Sequence, residues 1–238
     1  MTRSVFNHRR GGPRYPAEVL ADNPLLYWRL DETSGTNVVD YSGNGRTGTY
    51  TPGTLGTITL GQTSALPHDA DTSITVALSA TNGWIGSAAS TAFDTTSVSG
   101  EIWVNPTSGQ VNKHGVIFHG PSPGTGRWYF RINPTTGEVE IVAASTLLTG
   151  QFLNFNTWTH VVVTFDNSDS KWRLYRNGSL IYTSGASGLA AVTNKPIYIG
   201  KNNGTSVGGE TFVGGLDEVA IYGTALSATR IAVHYNAA

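Results

Sequence analysis

"TWTHVVVTFDNSDSKWRLYRNGSLIYTS", residues 157–184, contains two runs of alternating residues and two written-out turns. Trp158 to Asp166 and Lys171 to Arg176 alternate on either side of the polar turn "DNSDS", the period of half-buried strands. Asn177-Gly178 then separates "KWRLYR" from "SLIYTS". A two-residue hairpin turn needs positive φ at both central positions, which Asn and Gly tolerate best. The stretch predicts an antiparallel meander of three strands.

Working outward, "LLYWRL" (25–30) places Leu26, Trp28 and Leu30 on one side of a first strand. Further strand-like runs are "SITVAL", "SGEIWVNP", "GVIFHG", "RWYFRIN", "EVEIVAA", "PIYIGK" and "FVGGLDEVAIY". About a dozen short strands and one closing helical pattern predict an all-β, two-sheet antiparallel jelly-roll sandwich. "DYSGNGRTGTY" reads as turn chemistry leading into a short strand, and "AEVLAD" is at most one or two helical turns.

Composition narrows the chemistry. The 238 residues contain no cysteine, so disulfides and cysteine–zinc sites are excluded. Charged residues make up 13%, glycine accounts for 29 residues, and the net charge of −1 gives no general drive toward nucleic acid. No apolar run approaches membrane-spanning length, and no signal-peptide pattern follows Met1. The charge is unevenly placed: Arg3, Arg9, Arg10 and Arg14 fall in residues 1–16, with no acid among them. We therefore read 1–16 as a basic extended N-terminal arm and 17–238 as one domain.

The residues carry a resemblance. "PLLYWRLDETSGTNVVDYSGNGRTGTY", "SGEIWVNP", "NTWTHVVVTFDNSDSKWRLYRNGSLI" and "VGGLDEVAIYGTALSATRIAVHY" resemble, in order, the segments of laminin-G-like domains of the concanavalin A-like lectin/glucanase superfamily. The pattern departs at Arg230, where an acid or glutamine often completes the helix cap begun by Ser227. The resemblance implies the jelly-roll fold with a short C-terminal helix. It leaves function open, because such domains serve lectins, glycosidase appendages, adhesins and phage structural proteins.

Asp217 poses the sharpest question. By strand parity it points with Val219 and Ile221, while Leu216, Glu218, Ala220 and Tyr222 share the other face. A carboxylate on the core face costs several kcal/mol unless it is compensated. The resemblance implies a structural calcium held by Asp217, with Asp40 and Asn44 of "DYSGNG" as further oxygen ligands. The alternative is that Asp217 accepts hydrogen bonds from turn N–H groups, or pairs with Arg29 or Arg46.

Other motifs carry less. "DNSDS" lacks the glycine and the distant glutamate of an EF-hand and reads as a solvated turn. "GTSVG" (204–208) matches a nucleophile elbow by letters alone and lies in a β connection. Glu138 and Glu140 share a strand face, but no third acid follows as in the glucanases, so no enzyme is expected. The six histidines show no ligand spacing. Trp84, Trp128, Tyr129 and Trp172 are either core residues or sugar-stacking platforms. A glycan site is expected at Trp84 with Lys201, Asn202 and Asn203 of the loop "GKNNGTSVGGE".

These readings lead to a non-enzymatic structural and binding protein. Its expected place is the surface of a phage virion, present in several copies. The basic arm would meet capsid or tail proteins and a lectin-like face would meet glycans. The alternatives are an extracellular bacterial carbohydrate-binding module or a glycoside hydrolase of the same fold.

Overall fold

The computed structural model describes residues 14–52, 58–67, 69–77, 83–108, 114–121, 126–201 and 212–238. In chain order the strands are β1 (Leu26–Trp28), β2 (Asn37–Val38), β3 (Gly48–Thr51), β4 (Ile58–Thr63), β5 (Thr72–Val76) and β6 (Trp84–Ser87). They continue as β7 (Val98–Pro106), β8 (His114–His119), β9 (Trp128–Ile132), β10 (Glu138–Val142), β11 (Thr146–Phe152) and β12 (Thr159–Asp166). Then come β13 (Lys171–Arg176), β14 (Ser179–Ala186), β15 (Ile197–Ile199) and β16 (Gly214–Tyr222). Helix α1 (Arg14–Ala21) precedes the strands and α2 (Ala228–Asn236) follows them.

The strands form two antiparallel sheets. Sheet A runs β14-β13-β12-β7-β16-β5-β4, with β1 also paired to β16, and sheet B runs β11-β10-β9-β8-β15-β6-β3-β2. The expected meander is the β12-β13-β14 end of sheet A. Its tight turn has φ of 50° at Asn177 and 75° at Gly178, joining the Arg176–Ser179 pair. The facing sides of the two sheets enclose one apolar core, in which Leu26, Trp28 and Leu30 are all buried as their alternation requires. Trp128 of sheet B meets Trp172 of sheet A across it, with ring centroids 6.2 Å apart. Strands β2, β4 and β11 are sheet edges. Paired on one side only, they carry weak apolar patterns, which is why the sequence does not announce them.

Both helices lie on the outer face of sheet A. Tyr15 and Val19 of α1 and Ile231 of α2 bury against Trp103, Val162, Tyr175, Ala220 and Tyr222 of that sheet. At the centre of this second layer is Glu101, fully buried. Its carboxylate accepts hydrogen bonds from the hydroxyls of Tyr15 (2.9 Å) and Tyr222 (2.7 Å), and lies 2.7 Å from His160 Nε2. His234 Nδ1 stands 3.0 Å from it, while the other nitrogen of His234 is 2.8 Å from Asp22. A carboxylate at each nitrogen favours the doubly protonated imidazolium form of His234. Burial alone would lower its pKa, but Glu101 and Asp22 raise it. Burial would likewise raise the Glu101 carboxyl, and His160 and His234 hold it well below the usual carboxylate range. Arg230, the departure from the capping pattern, is explained here. Its guanidinium bonds Asp22 (2.8 Å) and Glu18 (2.9 Å), clamping α2 to α1.

The boundary expected at residue 16 is therefore corrected. Helix α1 starts at Arg14, and Tyr15 and Pro16 are buried parts of the domain; residues 1–13 lie outside the described ones.

Parity along β16 is corrected too. The pairs Asp217–Trp103 and Ala220–Glu101 show one extra residue between them, and Glu218 has φ of 51°. This bulge resets the alternation. Leu216, Val219 and Ile221 all face the core. Asp217 points with Trp103 to the outer side of sheet A, where Ala65 and Leu66 cover it.

Tyr15→Phe removes one hydrogen bond to a buried carboxylate, and we expect a loss of roughly 1.5–3 kcal/mol in thermal or urea unfolding. Deleting residues 1–13 should leave stability unchanged. Equal melting of Tyr15→Phe and wild type would show that the Glu101 layer does not hold α1.

Candidate functional site

Two places gather chemistry: an acidic cluster at the β16 bulge and the outer face of sheet B. At the bulge, Arg29 at the end of β1 faces three carboxylates from two segments, the approach to β5 and β16. Its Nη2 lies 2.6 Å from Asp69, 2.5 Å from Asp71 and 3.1 Å from Glu218. The ligand atoms of these acids are within 4.8 Å of one another. Glu218 also accepts from Tyr27 Oη. Asp217 adjoins the cluster, and its Oδ2 accepts from Ala65 N–H (2.8 Å) and Ser64 Oγ (2.9 Å). These are the turn donors of the alternative reading, and neither Arg29 nor Arg46 bonds it. Its Oδ1 is buried without a hydrogen-bond partner.

The electrostatics follow from crowding. Burial raises Asp71 to about 6 despite Arg29. Burial also raises Asp217 well above the usual range, against the bonds from Ala65 and Ser64. Burial and then the Asp217 charge do the same to Glu218. One guanidinium does not compensate this many carboxylates.

Asp40 and Asn44 are employed elsewhere. Asp40 accepts from the backbone N–H groups of Tyr27 (3.0 Å), Ser42 (3.0 Å) and Arg46 (2.7 Å). Asn44 Nδ2 donates to the carbonyls of Pro24 (3.0 Å) and Leu25 (3.2 Å). Both fold the loop after β2 onto β1, and none of these contacts reaches Asp217. Instead Asp71 and Glu218 are the acids whose charges Asp217 feels, and with Asp69 they form a cluster that the sequence reading passed over. The spacing of Asp69 and Asp71, two apart in a polar stretch, was the available signal.

Neither helix covers sheet B. On its outer face, cross-strand neighbours bring Tyr129, Phe118, Tyr198 and Trp84 into a row over β9, β8, β15 and β6. Phe118 stacks on Tyr198 with centroids 6.1 Å apart, and Tyr198 meets Trp84 edge-on at 5.1 Å. Lys201 Nζ stands 4.5 Å from the Trp84 centroid and 5.2 Å from that of Tyr198, within cation–π range. Burial lowers the Lys201 pKa.

The structure thus unites Trp84 and Lys201. Asn202 and Asn203 lie outside the described residues, as do "GTSVG" and Arg3, Arg9 and Arg10; Arg14 is exposed at the start of α1. Trp128 and Trp172 are core, whereas Tyr129 belongs to the outer row. Tyr198 was missed, although its place between inward Ile197 and Ile199 marks an outward ring. Glu140 is 2% exposed and paired to Arg131 at 2.8 Å. Glu138 accepts from Gly150 N–H at 3.0 Å. In "DNSDS", Asp166 accepts from Ser168 N–H at 2.9 Å, and Asn167 N–H donates to Ser97 Oγ at 3.0 Å, as in a structural turn.

Comparison with known proteins agrees with this architecture. A family profile described as concanavalin A-like lectin/glucanases superfamily matches residues 78–232. No curated protein matches the sequence. Domain 4 of an extracellular GH43 arabinanase from Geobacillus stearothermophilus, solved with arabinotriose, is 16% identical at a TM-score of 0.66, covering 90% of this chain and 98% of that domain. The receptor-binding domain of botulinum neurotoxin type G is 16% identical at a TM-score of 0.63, covering 90% of this chain and 51% of that one. The binding domain of paraclostridial mosquitocidal protein 1 is 16% identical at a TM-score of 0.62, covering 91% of this chain and 52% of that one. The chain thus spans about half the length of these toxin domains. With the profile match spanning the greater part of the chain and two antiparallel sheets stacked as the family requires, the protein belongs to the concanavalin A-like lectin/glucanase superfamily.

Proposed function

We propose that the protein is a non-catalytic, lectin-like glycan-binding module. The observation that carries this is the half-buried pair Trp84 and Tyr198 with Lys201 above it, backed by the fully buried Phe118, on the sheet face that neither helix packs against. Flat rings suit the C–H faces of sugars, and an ammonium suits hydroxyl or carboxylate oxygens. The likeness to an arabinanase domain solved with arabinotriose, and to a toxin described as interacting with two ganglioside molecules, supports the reading. Glu140 is held by Arg131 and Glu138 by a backbone N–H, which speaks against a free acid–nucleophile pair. On a glycan array, Trp84→Ala and Lys201→Ala should each weaken the retained glycan by about tenfold, or 1.4 kcal/mol. Binding that ignores both substitutions, or an array with no retained glycan, rejects this face as the site.

The same reading includes a structural calcium ion at Asp217. The buried, unpartnered Oδ1 of Asp217 and the surplus of carboxylates around Arg29 fit a hard cation. Asp217 would be its main side-chain ligand; Asp40 and Asn44, spent on the β1 loop, would not hold it. The sign of the pH dependence follows. Carboxyls with raised folded pKa keep protons that the unfolded chain releases, so stability falls as pH climbs from 3.8 to about 6. In chelator we expect that fall in thermal melts. Calcium should offset it, by about 2.7 kcal/mol at a hundredfold excess over Kd. Asp217→Asn should lose most of the calcium response and Asn44→Ala should keep it. Superimposed wild-type melts in calcium and in chelator would leave Asp217 as a hydrogen-bond acceptor only.

For the setting we keep the surface of a phage particle. The supporting observation is directional: α1, which the basic residues lead into, packs on the outer side of sheet A, while the aromatic row lies on sheet B. An anchor and a display face on opposite sides suit an accessory protein. Protein lacking residues 1–13 should fail to co-sediment with virions that bind the full chain. Equal co-sedimentation of both forms would remove the arm from that role.

A further inference from the structure

The helices leave part of the outer face of sheet A open. Where β4, β5, β16 and β7 lie side by side, a groove of about 310 Å³ runs along the sheet, with no residue of α1 or α2 in its walls. Gln62, Thr75, Asn105 and Thr107 supply polar groups from the sheet side, and Asn156 and Trp158 close it from the segment before β12. The floor is Gly214-Gly215. A Cβ at Gly215 would stand 2.7 Å from the Trp158 ring, so only glycine lets the indole lie against the strand. Glycine at 215 thus sets where the Trp158 wall of the groove stands.

Its chemistry is uniform. The described residues lining it include carboxamides, hydroxyls, one indole and two glycines, and none is charged. Ser73 Oγ already donates to Thr63 O (2.7 Å) and Gln62 Nε2 to Leu60 O (3.0 Å), which fixes the β4 side. Asn105 is different: its Oδ1 is buried and accepts no hydrogen bond. An unsatisfied buried acceptor costs about 1–3 kcal/mol, and here it belongs to a carboxamide residue that lines the groove. An anion would find no cation in these walls, and a cation no carboxylate. A purely apolar ligand would leave the carboxamides unpaired. The class that fits offers several uncharged hydroxyls and an apolar face for Trp158. The volume lies at the lower end of small-molecule pockets, about 300–1,000 Å³.

We infer that this groove is a second binding site, separate from the aromatic face of sheet B, that takes a mono- or disaccharide unit of a neutral glycan. Trp158 stacks on the sugar ring, and the Asn105 carboxamide turns to bond a sugar hydroxyl. Gln62, Thr75, Thr107 and Asn156 complete the polar contacts.

The test is NMR titration of the full chain with D-glucose, D-galactose and L-arabinose, and with D-galacturonic acid as the charged counterpart. We expect the Trp158 indole N–H and the Asn105 carboxamide to shift saturably with at least one neutral sugar, and less with the uronate. Asn105→Leu should weaken that sugar about fivefold to tenfold through the lost hydrogen bond. Its melting temperature should stay equal or rise, since the orphan acceptor is gone. If Asn105→Leu is destabilised, Thr107→Val serves for the same comparison. Trp84→Ala should leave the Trp158 shifts intact even if the sheet B face is the array-binding site. The proposal is overturned if no neutral sugar moves Trp158, if the uronate binds more tightly, or if Trp84→Ala abolishes the Trp158 response.

Discussion

The layer outside sheet A depends on the compensation of one buried charge. Glu101, at full burial, would be ruinous if ionised alone. Two tyrosine hydroxyls and two imidazoles converge on it, from α1, β12, β16 and α2. Each partner belongs to a different element, so the carboxylate specifies where both helices sit. His234 extends the network to Asp22, and Arg230 closes it on Glu18. Apolar contacts in the same layer supply burial energy without direction; the charge supplies the register.

That arrangement decides which faces of the sandwich are available. A sheet with both sides apolar needs cover on both, and sheet A receives it from the helices along most of its outer side. Sheet B turns its aromatic row away from them. The open end of sheet A is polar and floored by glycine. The aromatic row and this groove are thus the described outer surfaces that the helices do not reach, in a fold whose scaffold is shared and whose sites are local.

The bulge at Asp217–Glu218 makes a second decision. A regular β16 would put Asp217 in the main core, where a carboxylate has no partner. One extra residue carries it to the outer side, onto Ser64 and Ala65, and swings Glu218 to Arg29 and Tyr27. The acids of that corner then crowd one guanidinium, and their raised pKa values record the cost. Bulges often sit beside functional positions because they re-aim side chains.

Alternation at Trp158–Asp166 and Lys171–Arg176, with Asn177-Gly178 between hairpin strands, determined the sheet class from sequence alone, because strand period and turn conformation are local properties. The pairing of Trp84 with Lys201 was legible as an aromatic and a polar loop. Three things were not legible. Edge strands β2, β4 and β11 lack two-sided burial and so lack its pattern. The face of Asp217 depended on a bulge that β16 adopts against β7. The assembly of Arg29 with Asp69, Asp71 and Glu218 joins residues up to 189 positions apart, as does Glu101 with Tyr15 and His234 over 86 and 133. Local sequence fixes what a residue can do. Which charges meet is a long-range electrostatic outcome, and only the packed sheets and helices decide it.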